Sequence, residues 1–454
     1  MKAVLGAAVA AVLLAGGCGT QPPPSASAPR PVITSTVKHW GAFFGGTSGN
    51  SDTELSPTAL TLPGTVAEVA TSNSTQYALL TDGRVYAWGL GTQGQLGNGR
   101  LENFFTKPVR VRFPAGVKIA SLPADVMPYD TALAVDTRGR VWGWGHNGGG
   151  ELCLGNTRAY STPVRLPLSH VTALAGASNH AVYDAGGTVY ACGVNSAGDL
   201  GDGSTRNSTR PVRVAGLDGS SVTALVASYA NSGALLSDGE YFDWGYNGNG
   251  QLGDGHAGRS SDVPVRVGLR DPVTQVAQGG SIWHNGQTLV LLSDGSLWSW
   301  GDNWAGQLGD GTTVTRASPV HIYPPAGITY RSLATGSATS YAVSTTGEVY
   351  AWGVSLVGQL GDGLTRTAMT PVPVGSGAAS ISSTANNVVI SVPARHEARG
   401  RAAVLGGLLP APWVKFTISP SPDRGPSAVA GDPDYLSLPG APGPPGVPGV
   451  PGPA

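Results

Sequence analysis

The chain has 454 residues, with 68 Gly and 35 Pro, and only 12% of its residues are charged. Its 11 Trp residues and 41% hydrophobic content argue against a disordered chain and against a coiled coil. Because 27 Lys and Arg are balanced by 28 Asp and Glu, there is no basic excess to bind a phosphate backbone, and nucleic acid is not expected as a partner. This composition predicts a large all-β protein of short strands and tight turns.

Residues 1–18 are predicted to be an export signal, since one Lys is followed by an apolar run that is too short to span a bilayer. The segment Leu14–Cys18 resembles the bacterial lipoprotein signal, although its Leu lies four residues before the Cys instead of three. This resemblance implies that Cys18 is acylated and that the lipid holds the protein at the cell envelope, outside the cytoplasm. An ordinary cleaved signal, which gives a secreted protein, and a cytosolic apolar start are the alternatives. Residues 19–31 are expected to form a flexible tether.

A repeat occupies residues 32–393. A Trp-Gly pair recurs at intervals of 48 to 56 residues, with Cys in the place of one Trp. A Leu-Gly or Leu-Cys pair begins eight residues after six of these anchors, and a Pro follows them after 19 or 20 residues. The fixed spacing indicates structural repeats. The seven anchors are Trp40, Trp88, Trp144, Cys192, Trp244, Trp300 and Trp352.

Each repeat contains four strand-like runs separated by Gly-rich turns. In the second repeat these runs are Val66–Ala70, Tyr77–Leu80, Arg84–Trp88 and Val109–Phe113. Four short strands in about 50 residues, repeated seven times, predict a β-propeller with seven four-stranded blades.

The two ends of the repeat are incomplete in complementary ways. The segment Val32–Trp40 has one strand and no partners before it, whereas the last repeat lacks its Trp-Gly strand. The runs of that last repeat are Pro371–Val374, Ala379–Ser382 and Asn387–Val392. We therefore predict that strands from both termini form one blade and close the ring, with Val37–Trp40 and Asn387–Val392 in one sheet.

Two segments show the repeat most clearly: SDGEYFDWGYNGNGQLGDG (237–255) and SDGSLWSWGDNWAGQLGDG (293–311). The Asp-Gly turn, the strand ending in Trp-Gly and the following Asn-x-x-Gly-Gln-Leu-Gly-Asp-Gly resemble the regulator of chromosome condensation repeat family. The resemblance covers about residues 32–393 and implies a seven-bladed propeller whose sequence repeats are offset from its blades. The family's founder is a guanine-nucleotide exchange factor that also docks on chromatin. Other members are sensing, scaffolding or inhibitory modules, among them a secreted bacterial propeller that inhibits β-lactamases.

Exchange activity is the first alternative function, but two departures argue against it. Only His180 keeps a His that the family often places before the strand preceding the Asp-Gly turn, and no long insertion resembles a GTPase-engaging wedge. An export signal would also separate the protein from a cytosolic GTPase. A hydrolase or lyase that uses the propeller mouth is the second alternative, and it requires a cluster of ionisable side chains there.

Several repeated residues have a structural and a chemical interpretation. Asp202, Asp254, Asp310 and Asp362 fit calcium or phosphate loops, but one Asp in each blade is better explained by tight turns. The anchor Trp residues fit a carbohydrate-stacking array, but their position at strand ends favours packing between blades. Cys192 is interpreted as a smaller buried substitute that leaves its site less well filled. A disulfide between Cys153 and Cys192 is permitted outside the cytoplasm, and the sequence leaves it open.

No catalytic residue, cofactor or metal site is predicted, because the eight His residues lack metal-ligand spacing and no Gly-x-Ser-x-Gly elbow is present. Aromatic residues that interrupt the repeat are candidates for a protein-binding surface; packing against neighbouring loops is the alternative. These candidates are Phe43, Phe44, Phe104, Phe105, Trp283 and Trp304.

Residues 394–454 hold 13 Pro, and Gly occupies every third position from Gly440 to Gly452. Five such triplets are few for a collagen triple helix, so a disordered tail is expected. Together these features predict a non-catalytic, monomeric protein-interaction module: a membrane-tethered, extracytoplasmic propeller that presents binding loops to an unidentified protein. The lipid anchor is its expected contact with the membrane.

Overall fold

The computed structural model describes residues 35–42, 53–72, 75–123, 130–177, 179–280, 286–384 and 387–392. These residues form seven four-stranded antiparallel sheets, which confirms the predicted all-β, seven-bladed propeller. Within each sheet the strands are hydrogen-bonded in order from a first to a fourth strand. The first strands of blades 3 to 7, and of blades 7 and 1, contact their neighbours around the axis of the ring. No helix of the length and apolarity needed to cross a bilayer occurs in the described part of the chain.

Blade 1 contains β3 (Val66–Thr71), β4 (Thr75–Leu80), β5 (Val85–Gly91) and β6 (Glu102–Arg110). Blade 2 contains β7 (Ile119–Ser121), β8 (Thr131–Asp136), β9 (Arg140–Gly145) and β10 (Tyr160–Ser169). Blade 3 contains β11 (Val171–Gly176), β12 (His180–Ala185), β13 (Val189–Gly193) and β14 (Ser208–Arg213). Blade 4 contains β15 (Val222–Ala227), β16 (Asn231–Leu236), β17 (Tyr241–Gly245) and β18 (Ser261–Arg266).

Blade 5 contains β19 (Val273–Gly280), β20 (Gly286–Leu292), β21 (Leu297–Gly301) and β22 (Arg316–Ile322). Blade 6 contains β23 (Tyr330–Thr335), β24 (Thr339–Ser344), β25 (Val349–Gly353) and β26 (Ala368–Gly375). Blade 7 is formed by β27 (Ser380–Thr384), β28 (Asn387–Val392), β1 (Ser35–Ala42) and β2 (Thr53–Leu62).

Blade 7 combines strands from both ends of the repeat region. β1 pairs antiparallel with β28, with Val37 opposite Ser391 and Trp40 opposite Val388. The other edge of β1 pairs with β2. Val37–Trp40 and Asn387–Val392 therefore lie in one sheet.

The fourth strand of blade 1 differs from the sequence prediction. In blade 1 the prediction placed this strand at Val109–Phe113, but β6 runs from Glu102 to Arg110. The predicted run begins directly after Pro108 and so misses the residues before it, which pair with Gly89–Gly91 of β5. Pro is tolerated inside a strand at the outer edge of a sheet, where its missing N–H removes no ladder hydrogen bond. Similar Pro residues lie in the outer strands of other blades and protect these edges against pairing with another chain: Pro211, Pro264, Pro319 and Pro371.

The anchor residues pack between blades. All six Trp anchors are buried, so none offers its ring to a carbohydrate. Trp144 Nε1 donates a hydrogen bond to the Gln95 carbonyl of the preceding blade at 2.9 Å, and Trp244 and Trp300 make the same contact with the blades that precede theirs. We call each contact between the Leu-Gly or Leu-Cys pair of one blade and the anchor of the next a seam.

Glycine is required at the seams because the indole occupies the place of a side chain. A Cβ on Gly97 would lie 2.7 Å from Trp144 Nε1, and Gly97 has a φ of +62°. The same close approach occurs at Gly201, Gly253, Gly309 and Gly361. The Gly of one blade and the Trp of the next therefore depend on each other for close packing.

We predict that Gly97→Ala lowers the free energy of unfolding by about 1–3 kcal/mol more than Gly116→Ala, because only the first variant overpacks a seam. Gly116 is the matched control, since its φ is +77° but a Cβ there would meet nothing within 4 Å. Urea unfolding followed by Trp fluorescence measures both values. Equal losses would mean that the strain of a positive φ accounts for the whole effect.

The seam between blades 2 and 3 has a different chemistry. Cys153 occupies the glycine position with a φ of 57°, Cys192 occupies the Trp position, and the two form a disulfide with a Cα–Cα distance of 5.6 Å. The sequence left this disulfide open. The interpretation of Cys192 as a residue that leaves its site less well filled needs correction, because the Cys153 sulfur shares the site.

Tyr183 completes the replacement at this seam. It occupies a strand position that holds Ala or Val in blades 1, 2, 4, 5 and 6, and its ring is fully buried. Its hydroxyl donates to the Glu151 carbonyl at 3.2 Å, which corresponds to the carbonyl that accepts the indole N–H at other seams. Tyr183 and the disulfide together thus supply the volume and the hydrogen bond of the missing Trp.

The propeller has two distinct faces. Since the strands are antiparallel, the connections between third and fourth strands all emerge on one face, the loop face. The turns between second and third strands, such as Asp82–Gly83, emerge on the opposite face, the turn face. β1 begins at Ser35 on the turn face, and β28 ends at Val392 on the same face. The chain therefore enters and leaves the propeller on the turn face.

Candidate protein-interaction surface

The loops of the loop face are fixed by a recurring Asn three residues after the anchor. The Asn Oδ1 accepts the backbone N–H of the Leu five residues later, at 2.8–3.1 Å. Its Nδ2 donates to carbonyl oxygens further along the same loop. These hydrogen bonds fix the position of the loop tip, which is the residue that follows the Asn. The four residues are Asn147, Asn195, Asn247 and Asn303.

The Asp of each Leu-Gly-Asp-Gly segment closes a turn in the same loop. Its Oδ1 accepts the backbone N–H of the residue two positions later at 3.0 Å in all four copies. This geometry confirms the turn interpretation of Asp202, Asp254, Asp310 and Asp362. In the described part of the chain, no group of three or more His, Cys, Asp or Glu residues is placed to hold a metal ion.

Most of the exposed large hydrophobic side chains on the described loop face lie in blades 5, 6 and 7; the other two, Leu101 at 69% exposure and Val263 at 38%, lie in blades 1 and 4. Six large hydrophobic residues there are between 38% and 54% exposed. We call them the apolar sector: Trp304, Val314, Leu356, Leu364, Met369 and Leu55. The tip of each loop, four residues after the anchor, is Trp304 in blade 5 and Leu356 in blade 6. In blades 1 to 4 it is Thr92, Gly148, Ser196 and Gly248. The surface is therefore asymmetric although the fold is nearly symmetric.

Backbone hydrogen bonds join the loops that carry the sector across the blade boundaries. Gly311 N donates to the Met369 carbonyl at 2.9 Å, which joins the blade 5 loop to blade 6. Gly363 N donates to the Leu55 carbonyl at 2.9 Å, which joins the blade 6 loop to blade 7. Behind this surface, Ala305, Ala338 and Val354 form a small buried cluster. The loops that carry the exposed side chains are therefore held by backbone hydrogen bonds and by a buried apolar cluster.

Charged groups within the sector neutralise one another. Arg316 forms an ion pair with Asp310 at 2.8 Å, and Arg366 forms one with Asp362 at 3.6 Å. Several donors keep the pKa of Asp310 below its usual range although burial opposes them; they include Thr312 and Arg316. The carboxylate therefore stays ionised and paired near neutral pH, so the sector offers apolar area without net charge.

A separate group of ionisable residues lies on the loop face of blade 2. His146 Nδ1 is 2.8 Å from Glu151 Oε1, and Glu151 Oε2 accepts the Gly149 N–H at 2.9 Å. Thr131 Oγ1 lies 2.7 Å from the His146 carbonyl and 3.1 Å from Glu151 Oε1. The hydrogen bond to Glu151 raises the pKa of His146, with burial opposing it. These contacts close one loop, and they present no nucleophile to a substrate.

Comparison with known proteins identifies the repeat. The sequence pattern described as the regulator of chromosome condensation (RCC1) repeat matches residues 82–122, 138–183, 186–235, 238–282 and 294–343. The chain belongs to the RCC1 repeat family. The first match begins at the turn between β4 and β5 and ends beyond β7, so RCC1 repeats are offset from the blades, as the resemblance implied.

Relatives of this RCC1-repeat propeller agree over most of the ring. The ultraviolet-B receptor UVR8 of Arabidopsis thaliana is 30% identical over 337 residues, covering 72% of this chain and 74% of the receptor. The solved structure of human WBSCR16 covers 80% of this chain and 99% of its own, with a TM-score of 0.69 and 20% identity. That of Prp20p from Saccharomyces cerevisiae covers 81% and 93%, with a TM-score of 0.67 and 21% identity. The two structures show the shared fold.

The structure describes three of the six predicted binding residues of this RCC1-repeat protein, and one of them lies in the apolar sector. Trp304 lies at the tip of the blade 5 loop, 42% exposed, within the apolar sector. Phe104 and Phe105 lie in β6, where their backbones pair with Leu90 and Gly89. The other three candidates (Phe43, Phe44 and Trp283), and the lipidation candidate Cys18, lie outside the described residues.

Sequence reasoning missed five residues of the sector: Leu55, Val314, Leu356, Leu364 and Met369. One signal was available, because the fourth residue after the anchor is large and apolar only in blades 5, 6 and 7, as Trp304, Leu356 and Phe44. That these blades are neighbours on a ring, and that Leu55 adjoins them from a distant part of the sequence, required the tertiary structure.

Proposed function

We propose that this RCC1-repeat propeller is a non-catalytic protein-interaction module that binds its partner through the apolar sector. The observation that carries the proposal is the group of half-exposed apolar side chains on loops of three neighbouring blades that hydrogen-bond to one another. Contiguous exposed apolar surface marks interaction sites, and an exposed Trp is a typical centre of binding energy. Rigid loops lower the entropy cost of association.

The family comparison supports a binding role. The solved structure of Prp20p is described together with its binding to Gsp1p and to histones, so a propeller of this fold presents protein-binding surfaces there. At 21% identity the likeness shows only a shared fold. The partner of this chain therefore has to be inferred from its own surface residues. A GTPase partner in the cytosol is the alternative.

We further propose that the propeller works outside the cytoplasm, tethered by a lipid on Cys18. The disulfide between Cys153 and Cys192 supports this location, because disulfides persist in oxidising compartments and are rare in the cytosol. Since β1 begins on the turn face, the tether would bring that face toward the membrane. The apolar sector would then point away from the membrane, toward a soluble or opposing partner.

Site-specific photo-crosslinking in cells tests the binding surface. A photoreactive amino acid at Leu356 is expected to give a covalent adduct with one protein. The same residue at Tyr323, which is 78% exposed on the turn-face side of blade 5, is the matched control and is expected to give none. The triple variant W304A/L364A/M369A should remove the Leu356 adduct, because it takes away most of the surrounding apolar area. Adducts of equal yield at both sites would contradict the proposal.

The proposed location has its own measurement. Intact-mass analysis of the mature protein from fractionated cells should find an acylated Cys18 as the first residue in the membrane fraction. An unprocessed Met1 in the cytosol would overturn the location and favour the GTPase alternative, which accelerated release of labelled nucleotide from a cognate GTPase would support.

A further inference from the structure

We propose that the Pro-rich C-terminal segment of this same chain, residues 435–454, docks on the apolar sector as an intramolecular ligand. The inference concerns the surface used in the proposed function, but it requires no external partner.

The segment YLSLPGAPGPPGVPGVPGPA matches the sector chemically. It contains seven Pro and no charged side chain. Pro fixes φ near −65° and favours the polyproline II helix, which loses little conformational entropy when it binds. Such segments dock on surfaces lined by aromatic and apolar side chains. Trp304, Leu356 and Met369 provide that lining, and the nearby charges are already paired.

A second aromatic surface serves as a comparison. Trp298, His321 and Tyr323 form a series of ring contacts on blade 5, with ring centroids 5.2 and 4.3 Å apart. Arg270 lies over Trp298 and pairs with Asp294 and Asp271. Two carboxylates face one Arg here, so an uncharged segment would have to desolvate a net charge, whereas the ion pairs of the sector are one to one. The neutral sector is therefore the better match.

The connection is long enough. The described chain ends at Val392 in blade 7, one of the three blades that carry the sector, and residues 393–439 join it to the Gly-Pro run. The sequence predicts a disordered connection, and a disordered chain of this length spans roughly 40 Å on average, whereas strands of six to eight residues make the propeller about 25 Å thick. The segment can thus pass from the turn face to the loop face. Tethering gives it a millimolar local concentration, which suffices for a weak contact.

Hydroxyl-radical footprinting of the full chain tests the contact. The test variant replaces Pro442, Pro444, Pro445, Pro448 and Pro451 by Ala. The matched control replaces five Pro residues of the connecting part, namely Pro410, Pro412, Pro420, Pro422 and Pro426. Trp304 and Met369 should oxidise about threefold more slowly in the native chain than in the test variant, since a local concentration about twice the Kd leaves one third of the sites free.

The outcomes are separable. The control variant should match the native chain, and Tyr323 should oxidise equally in all three proteins. Equal rates at Trp304 in native and test proteins would overturn the proposal. Protection that is lost on about tenfold dilution would also overturn it, because an intramolecular contact does not depend on protein concentration. A negative footprint with a positive Leu356 crosslink would leave the partner proposal standing alone.

Discussion

Reduction of the Cys153–Cys192 disulfide is expected to lower the free energy of unfolding by about 3 kcal/mol. The bond closes a segment of 39 residues and joins blade 2 to blade 3 at the one described seam that lacks a Trp. Both sulfurs are buried, so reduction occurs through the unfolded state. Urea unfolding with and without dithiothreitol measures the loss, and the variant C153S/C192S should show the same low stability under both conditions.

A redesign of this seam tests the reason for the disulfide. The triple variant C153G/C192W/Y183A restores the residues found at other seams. It should recover most of the lost stability and become insensitive to dithiothreitol. The acceptor for the new indole is in place, since Cys192 Sγ lies 3.4 Å from the Glu151 carbonyl. C153G/C192W with Tyr183 retained should be less stable than the triple variant, because two large rings would share one site. A triple variant no more stable than C153S/C192S would contradict the account.

The second large effect is expected at Asp199. Here a carboxyl occupies the position that holds Gln in four other blades. Burial raises its pKa from 3.8 to about 7, with the backbone N–H of Ala197 opposing the shift. The folded state therefore holds a proton between about pH 4 and 7 that the unfolded state has released. Stability must fall as pH rises through this window and remain lower above it.

Asp199→Asn should accordingly stabilise the protein at pH 8 by up to about 4 kcal/mol, since each unit of pKa corresponds to about 1.4 kcal/mol. The gain should fall below about 1 kcal/mol at pH 4, because the carboxyl is then protonated in the folded state and close to half protonated in the unfolded state. Asn keeps the acceptor for Ala197 and removes the charge. Thermal unfolding of both proteins across this pH range measures the difference. A gain that is equal at pH 4 and pH 8 would show that packing, and not ionisation, is responsible.

His180 makes it necessary to compare the variant with the native protein at each pH. Its Nε2 is 2.8 Å from Ser232 Oγ, which donates to the Asp199 carbonyl at 3.0 Å. Burial lowers the pKa of His180 to about 4. The unfolded state thus binds a proton below about pH 6.5 that the folded state refuses, so His180 destabilises the fold as pH falls. This contribution to the pH dependence opposes that of Asp199. It cancels when the free energies of unfolding of the variant and the native protein are subtracted at the same pH.

The blades were predictable because their signals are local. Anchor, turn and strand all fall within one repeat of about 50 residues, and the Asn, the Leu and the Asp-Gly turn act on their own loop. The Gly residues at the seams also recur in the sequence, although their reason lies in the next blade. The fourth strand of blade 1 was placed wrongly because a Pro has opposite meanings inside a sheet and at its edge, which only the position in the sheet decides.

The surface and the exceptional seam were not predictable in this way. Trp304 stands out in its own repeat, but the sector forms because blades 5, 6 and 7 are neighbours on a ring that joins Leu55 to residues some 300 positions later. The disulfide likewise required the distance across a blade boundary, which no spacing along the chain contains. Repeat architecture follows from short-range patterns of hydrophobic and turn residues, and the amino-acid sequence was sufficient for it. Which side chains of different repeats meet follows from ring closure, and that was decided by the tertiary structure.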